Sequence, residues 1–220
     1  MKAIKLIILG AGKSTLEIID IINDINNKSS KKIEIVGILA DDKKLKNKKI
    51  YNTPVLGPIK DIKKFKKEKF FLGIFSYQNR FVRAKIISSF KNIYHRFINI
   101  VHPSALISSK SKIGYGCLVS NNVNIHYGSK IGNFCIMSPN SSIAPLANIK
   151  SNCFIGNAVV ASCKSKIDKN TYFGFHSSLL ENVKIAEGSR VLPNTIVNKT
   201  IKKKNGIIFG SPARIIAYDK

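Results

Sequence analysis

The side chains best suited to proton transfer in this chain are its histidines, of which there are 4. A histidine titrates near neutral pH, so its imidazole can act as a general base when it reaches a reacting group. His126 and His176 lie within a run of regularly spaced apolar residues, and they are the two candidate bases, in that order. His95 and His102 precede that run, and we interpret both as structural.

A glycine loop near the N-terminus indicates a second kind of chemistry, the binding of a phosphate. The segment KLIILGAGKSTLEIIDII predicts a strand, a tight turn and a helix, and N–H groups at a helix start can hold an anion. Two aspartates follow the second predicted strand, where a carboxylate can meet a ribose or a uracil. The loop lacks the third glycine of the dinucleotide fingerprint, so a structural turn is the alternative interpretation. The candidate nucleotide-binding residues are Gly10, Ala11, Gly12, Lys13, Asp41 and Asp42.

The two candidate histidines lie in a six-residue repeat. A second frame, two positions before the apolar one, holds only small or β-branched residues from Ala105 to Thr195. A short fixed period of this kind indicates a solenoid, and three repeats close one triangular coil of 18 residues. The sequence therefore predicts a parallel β-helix. Its inward residues are Ile107, Ile113, Val119, Ile125, Ile131, Met137, Ile143, Ile149, Ile155, Ala161, Ile167, Phe173, Leu179, Ile185, Val191 and Val197.

Three of the cysteines follow the same repeat. Cys117, Cys135 and Cys153 are one coil apart, which predicts a column of small, buried, reduced thiols. The chain has no C-x-x-C motif and no histidine at a ligand spacing, so no metal site is expected.

The first hundred residues alternate between predicted strands and helices. Strands are predicted over residues 5–9, 33–39, 70–75 and 98–102, with a helix after the glycine loop and another over residues 78–90. This alternation is typical of a small Rossmann-like α/β domain with a parallel sheet. The predicted domains are therefore residues 1–100, the α/β domain, and residues 101–220, the all-β parallel β-helix.

The net charge of +25 favours an anionic partner on general grounds, such as nucleic acid, a membrane surface or a phosphorylated small molecule. The lysines are spread along a chain that is also rich in isoleucine and asparagine. The positive charge is therefore better explained by the overall composition of the chain than by a binding surface. No aromatic and basic motif of the RNA-binding type is present, so nucleic acid is not expected. No apolar run approaches the roughly 20 residues that span a bilayer, and the N-terminal run has no cleavage site. We therefore expect a cytoplasmic protein with no membrane partner.

The hexapeptide frame and the ending Gly210–Arg214, GSPAR, together resemble the left-handed β-helix acyltransferases. With the preceding α/β domain, the chain looks more narrowly like the sialic acid O-acetyltransferase and bacillosamine-pathway sugar N-acetyltransferase group. This resemblance covers essentially the whole chain. It implies a left-handed coil, a homotrimer, acetyl-CoA as acyl donor, and a nucleotide-sugar acceptor held by the α/β domain.

The resemblance also implies where catalysis would occur. The histidine and acid of the family correspond to Pro145 and Leu146, where this sequence departs from the family pattern. His126, one coil earlier, is the first substitute base, and His176 is the second. The alternative is a non-catalytic relative that binds nucleotide sugar or CoA, or that serves in assembly. The implied acetyl-CoA contacts are Gly156, Gly174, Gly210, Pro212 and Ala213.

Overall fold

A computed structural model describes residues 3–75 and 80–219 of the chain. The elements of the α/β unit are β1 (Ile4–Leu9), α1 (Lys13–Lys28), β2 (Ile33–Leu39), β3 (Lys49–Ile50), β4 (Thr53–Gly57), β5 (Lys69–Leu72), α2 (Arg80–Ser88), and 3-10 helices Lys43–Leu45, Ile59–Lys64 and Lys91–Arg96. Its sheet has the order β3-β4-β2-β1-β5. The predicted strands β1, β2 and β5 are parallel, as expected, and β4, which was not predicted, is parallel to β2.

Three details of the α/β unit differ from the sequence prediction. The β3 strand is antiparallel to β4, because Tyr51 and Asn52 both adopt positive φ and close a tight hairpin. The third predicted strand ends at Leu72, three residues early, where Gly73 packs closely on Ile8. The predicted helix over residues 78–90 is observed as α2 from Arg80, and its first two residues lie outside the described part of the chain.

The prediction that residues 98–102 form the last strand of the α/β sheet is wrong. The strand observed there, Ile100–Val101, pairs with Leu118–Val119 of the β-helix. Val101 stands one repeat before Ile107, so the six-residue frame already includes it. Only a single bridge between Phe70 and Phe97 joins this stretch to β5. The chain therefore passes from the sheet into the first coil without a linker.

The rest of the chain is a parallel β-helix, as predicted, built from two-residue strands that recur every six residues. They stack into three sheets: sheet I is β6-β9-β12-β15-β18-β21, sheet II is β7-β10-β13-β16-β19-β22, and sheet III is β8-β11-β14-β17-β20. Two longer strands, β23 (Gly206–Phe209) and β24 (Arg214–Tyr218), extend sheet I, and β24 is antiparallel. The short strands are β6 (Ile100–Val101), β7 (Leu106–Ile107), β8 (Lys112–Ile113), β9 (Leu118–Val119), β10 (Asn124–Ile125), β11 (Lys130–Ile131), β12 (Ile136–Met137), β13 (Ser142–Ile143), β14 (Asn148–Ile149), β15 (Phe154–Ile155), β16 (Val160–Ala161), β17 (Lys166–Ile167), β18 (Tyr172–Phe173), β19 (Ser178–Leu179), β20 (Lys184–Ile185), β21 (Arg190–Val191) and β22 (Ile196–Val197).

The predicted inward column forms the core of the coil. Every member from Val119 to Val197 is buried, and the column packs as one continuous cluster. The predicted thiol column is also observed: Cys117, Cys135 and Cys153 are buried, and each Sγ lies 3.1 Å from a carbonyl oxygen of the next coil. Burial raises the pKa of the Cys117 and Cys153 thiols, so both stay protonated as donors.

From Gly116 to Asn194, each corner of the coil contains one residue of positive φ, three positions before the inward residue. From Phe134 onward its N–H donates to a carbonyl of the preceding coil, as Asn152 does to Asn133 at 2.8 Å. Glycine and asparagine predominate because they adopt the left-handed region at low cost. The corner residues are Gly116, Asn122, Gly128, Phe134, Asn140, Leu146, Asn152, Ala158, Lys164, Asn170, His176, Asn182, Gly188 and Asn194.

The outer face of sheet I is covered by the α/β unit. Ile100, Leu118 and Ile136 point outward from the coil and are at most 4% exposed, because they join the apolar cluster beneath α1. The Arg83 side chain of α2 adds polar contacts, donating to the Phe134 carbonyl at 2.9 Å and to the Asn152 side chain. Desolvation lowers the Arg83 pKa to about 10. The two domains are therefore packed together by both apolar and polar contacts.

A second polar contact joins α1 to the first coil. The His102 ring lies with Nε2 2.9 Å from Asp24 Oδ2 and Nδ1 2.7 Å from Ser104 Oγ, which agrees with a structural role for His102. The same carboxylate accepts from Lys28 at 2.9 Å. The hydrogen bonds from His102 and then Lys28 lower the pKa of Asp24. Within the described residues, no helix is long and apolar enough to cross a bilayer.

The lowered pKa of Asp24 predicts an acid-dependent loss of stability. Such a carboxyl contributes stability that is present above its unfolded pKa, about 3.9, and that is lost as the pH falls through its folded pKa. We expect Asp24→Asn to lower the melting temperature at about pH 6, and the difference from the original protein to diminish as the pH falls below about 3.9. Calorimetric melting across this range measures it. Asp20→Asn, an exposed change on the same helix, is the matched control, and an equal effect of both variants would contradict the prediction.

Candidate functional site

The glycine loop lies at the carboxyl end of β1 and leads into α1. Gly10 has φ +106, and a Cβ there would lie 2.7 Å from Ile74 Cγ1, so the loop requires glycine. The hydroxyls of Ser14 and Thr15 hold the turn by donating to the carbonyls of Gly73 and Gly10, at 2.7 and 2.9 Å. The helix begins at Lys13, and no side chain caps its start. The positive end of the helix dipole can therefore interact with an anion there.

The two aspartates lie beside this loop, at the carboxyl end of the adjacent strand β2. Asp41 accepts from the Ile59 N–H at 2.8 Å, and Asp42 accepts from the Lys44 N–H at 2.9 Å. A cavity of about 410 Å³ opens next to them, with lysines around it. The structure thus places the predicted nucleotide residues at one edge of the sheet, where α/β folds bind ligands. The cavity is lined by Ala40, Asp41, Asp42, Lys43, Lys46, Asn47, Val55, Leu56, Gly57, Pro58, Lys60 and Asp61.

His126 lies on the coil where sheet II turns towards sheet III. Its side chain is exposed, and its ring Nε2 lies 3.4 Å from Ser142 Oγ, one coil further on. No hydrogen bond or ion pair joins the ring to a carboxylate of the described residues. A shallow depression of about 360 Å³ borders it, with Leu106 and Tyr127 in its wall. Ser142 was not predicted, but the coil length places residues of the next coil beside His126.

His176 lies on a different corner, where sheet I turns towards sheet II. It is exposed, and it occupies a left-handed corner position with φ 56. Its N–H donates to the Asn157 carbonyl at 2.9 Å. A single chain therefore does not bring His126 and His176 together.

The position implied for the family's histidine and acid carries neither group. Pro145 lies on the same corner as His126, and its carbonyl accepts from the Lys164 N–H at 3.1 Å. Leu146 is 48% exposed with φ 62, a conformation that favours glycine or asparagine. Cys163, partly exposed, stands one coil beyond Pro145 and was not predicted as a site residue. The corner therefore presents an imidazole and a thiol on either side of a proline.

The implied acetyl-CoA contacts have packing roles in the structure. A Cβ on Gly156 would lie 2.7 Å from the Phe173 carbonyl oxygen, and one on Gly174 would lie 2.5 Å from the Pro193 nitrogen. Both glycines are buried where successive coils meet. The other three, Gly210, Pro212 and Ala213, form the turn between β23 and β24, and the Ser211–Pro212 peptide is cis. Their contact with acetyl-CoA remains a prediction. Across the described residues, no cluster of histidine, cysteine or carboxylate side chains is suited to a metal ion.

The outer face of sheet II is free of formal charge. Neither the residue before nor the residue after each inward position is lysine, arginine, aspartate or glutamate, although the chain carries a net charge of +25. Several of these side chains are apolar and exposed, among them Leu106 at 69% and Val160 at 39%. We call this surface the uncharged face. It comprises Leu106, Ser108, Asn124, His126, Ser142, Ala144, Val160, Ser162, Ser178, Leu180, Ile196 and Asn198.

No protein-family model matches the chain. One curated relative is the bifunctional protein GlmU of Wigglesworthia glossinidia brevipalpis, which is 30% identical over 157 residues, or 63% of this chain. The chain spans about a third of the length of this relative, 33%.

Several solved structures match along the whole chain. Perosamine N-acetyltransferase from Caulobacter crescentus, solved with CoA and GDP-perosamine as a histidine-to-asparagine variant, has a TM-score of 0.83 at 19% identity and covers 97% of both chains. The acetyltransferase domain of PglB from Neisseria gonorrhoeae, solved with acetyl coenzyme A, has a TM-score of 0.83 at 15% identity, covering 98% of this chain and 100% of that one. WeeI from Acinetobacter baumannii has a TM-score of 0.80 at 19% identity, with coverage of 98% and 100%.

These likenesses show the fold of the chain. It is an α/β domain followed by a left-handed parallel β-helix, so the predicted fold class is confirmed. Perosamine N-acetyltransferase and the PglB domain share this fold over nearly the whole of this chain, through both of its domains.

The burial of the cysteines predicts the reactivity of the thiols. Cys117, Cys135 and Cys153 are buried, and reagents in solution do not reach their Sγ atoms, whereas Cys163 is partly exposed. We expect one of the 4 thiols to react with Ellman's reagent in the native protein within minutes, and all to react after denaturation. Cys163→Ser should abolish the fast reaction, with Cys135→Ser as the matched control. Fast reaction of a second thiol in the native protein would contradict the buried column.

Proposed function

We propose that the chain transfers an acetyl group from acetyl-CoA to an amino or hydroxyl group of a nucleotide-linked sugar in glycan or surface polysaccharide biosynthesis. The observation that carries this proposal is the match of the entire chain, both domains in order, to acetyltransferases solved with CoA, acetyl-CoA or a nucleotide sugar. We place the protein in the cytoplasm, where both substrates are made.

The two substrates are assigned to different domains. The acceptor nucleotide is proposed to bind at the carboxyl edge of the sheet, with a phosphate at the start of α1 near Lys13. Its diphosphate would complement the lysines around the 410 Å³ cavity. Acetyl-CoA is proposed to bind along the coil, near Gly156, Gly174 and the Gly210–Ala213 turn. No metal is required by this chemistry.

His126 is proposed to be the base. The acceptor nitrogen or oxygen forms a bond to the acetyl carbon, its proton passes to the ring of His126, and the carbon–sulfur bond breaks to release CoA. The exposed ring of His126 borders a depression, and Ser142 at 3.4 Å is placed to orient it in the absence of a carboxylate. His176 is the second candidate, on the corner at the other edge of sheet II.

A homotrimer would unite the two corners. The uncharged face suits association with a second copy, because it brings no like charges together in a chain with net charge +25. If three copies place this face towards a threefold axis, the His126 corner of one copy meets the His176 corner of the next. Each cleft would then contain groups from both corners.

Removal of the His126 imidazole should lower turnover without weakening the binding of acetyl-CoA. We expect His126→Asn to reduce kcat by about 100-fold or more, since general-base catalysis contributes about 10²–10⁴-fold, and to leave the Kd for acetyl-CoA unchanged. Mass spectrometry of acetylated nucleotide amino sugars and titration calorimetry measure these quantities. His95→Asn, an exposed histidine of the α/β domain, is the matched control. Unchanged kcat in the His126 variant would exclude this base and leave His176 to be tested.

The alternative is a non-catalytic relative, favoured by Pro145 and Leu146 at the position of the family's histidine and acid. In that case the original protein would bind acetyl-CoA or a nucleotide sugar without turnover. A Pro145→His, Leu146→Asp double variant that gained turnover would support this alternative.

The proposed trimer should dissociate when a single charge is added to the uncharged face of each copy. We expect Val160→Lys, which places a charge on the uncharged face, to convert trimers into folded monomers, because each buried charge would be desolvated beside two copies of itself. Light scattering after gel filtration gives the mass, and circular dichroism reports the fold. Asn148→Lys, which adds the same side chain to sheet III, is the control. A monomeric original protein would exclude the trimer.

A further inference from the structure

The outer face of sheet III carries a straight column of lysines. The first residues of β8, β11, β17 and β20 are lysines, and the strand between them, β14, has Asn148 at this position. All four lysines are exposed. Lysine and arginine together make up 37 of 220 residues, so composition alone would make fewer than one of these five positions basic. We call this column the lysine ladder, which comprises Lys112, Lys130, Lys166 and Lys184.

The ladder places like charges beside one another. Lys112 pairs in register with Lys130, and Lys166 with Lys184, on parallel strands that lie about 4.7–4.9 Å apart. Like charges that face each other across strands destabilise a sheet. Among residues 3–75 and 80–219, no carboxylate forms an ion pair with a ladder lysine. The acid on the same face, Asp168, accepts from the Lys169 N–H at 2.8 Å. The face therefore has a positive potential that the chain itself leaves uncompensated.

The shape of this charge distribution indicates the kind of anion that fits it. The lysines form one line along the coil axis, about one charge per coil, which matches a linear polyanion. A membrane is a plane, and surface-bound proteins add apolar anchors, whereas the outer positions of sheet III hold no large apolar side chain. Single-stranded nucleic acids are bound by basic grooves with aromatic stacking platforms, and these positions hold no aromatic residue either.

We propose that sheet III binds a linear acidic polysaccharide, whose carboxylates lie along the lysine ladder. Such a polymer carries about one charge per sugar ring and requires no stacking platform, so the ladder alone supplies the complementary charge. Lys150, also exposed on this face, adds a further positive group beside the column. Sheet I is covered by the α/β unit and sheet II is the proposed assembly face, so sheet III stays accessible in the trimer. This binding is independent of acetyl transfer.

The test compares two variants with the same change in net charge. The ladder variant has glutamine at positions 112, 130, 166 and 184. The control variant has glutamine in place of four exposed lysines of the α/β unit, Lys66, Lys67, Lys85 and Lys91. Fluorescence anisotropy with labelled oligogalacturonate, at about 0.15 M salt to screen non-specific attraction, measures the affinity of each full-length protein. Neutral dextran, a single-stranded oligonucleotide and phosphatidylglycerol vesicles serve as competing probes.

We expect the ladder variant to bind oligogalacturonate about tenfold more weakly or worse, since four modest ion pairs are lost together, while the control changes by less than about twofold. The salt dependence of the affinity should also flatten in the ladder variant alone. Equal losses in both variants would overturn the proposal, because net charge would then explain binding. The absence of binding by the original protein would overturn it as well. Ladder-dependent binding that is tighter for the oligonucleotide or the vesicles would overturn the assignment to a polysaccharide. Circular dichroism confirms that both variants are folded.

Discussion

The backbone hydrogen bonds between successive coils are the interaction on which the rest of this structure depends. Each strand of two residues is too short to be stable alone, so its N–H and carbonyl groups are satisfied only by the coils above and below. From Gly116 to Asn194 every corner has one left-handed residue, a conformation that asparagine adopts at low cost, as at Asn140 and Asn152. Because residues 18 apart are fixed one above another, a single side-chain type repeated at that spacing becomes a column. The thiol column and the lysine ladder are both consequences of this geometry.

The three faces of the coil differ mainly at one position in each repeat, the residue before the inward one. On sheet I that position is apolar or aromatic from Ile100 to Tyr172, where the α/β domain covers Leu118 and Ile136, and it is arginine at Arg190. On sheet II it is uncharged, and on sheet III it is lysine except at Asn148. The same two-residue strands form all three sheets, so the faces differ only in their side chains. The α/β domain, the uncharged face and the lysine ladder therefore occupy three different sides of one small prism.

The repeat was predictable because it is local and periodic: sixteen inward positions and one thiol column were readable without any tertiary information. The corner asparagines and glycines follow the same period and are equally readable from the sequence. The strand at Ile100 was misassigned because a short apolar run does not reveal its pairing partner. The contact of Arg83 with Asn152 was beyond prediction, since it joins domains through residues far apart in sequence. The glycine loop and its aspartates lie at the expected edge of the sheet, whereas the role of His126 stays a prediction.

The triangular repeat also governs which insertions and deletions the chain can accept. Adding or removing 18 residues, one full coil, would leave every later side chain on its own face, and the prism would simply become longer or shorter. Adding or removing a single hexapeptide would preserve the core, because the inward positions would remain in phase. It would nevertheless rotate all later outer side chains by one face. An added hexapeptide would move later uncharged residues from sheet II onto sheet III, and a removed one would move later lysines from sheet III onto sheet II. Descendants of this sequence are therefore expected to vary in length by whole coils, a constraint imposed by the surface rather than by the core.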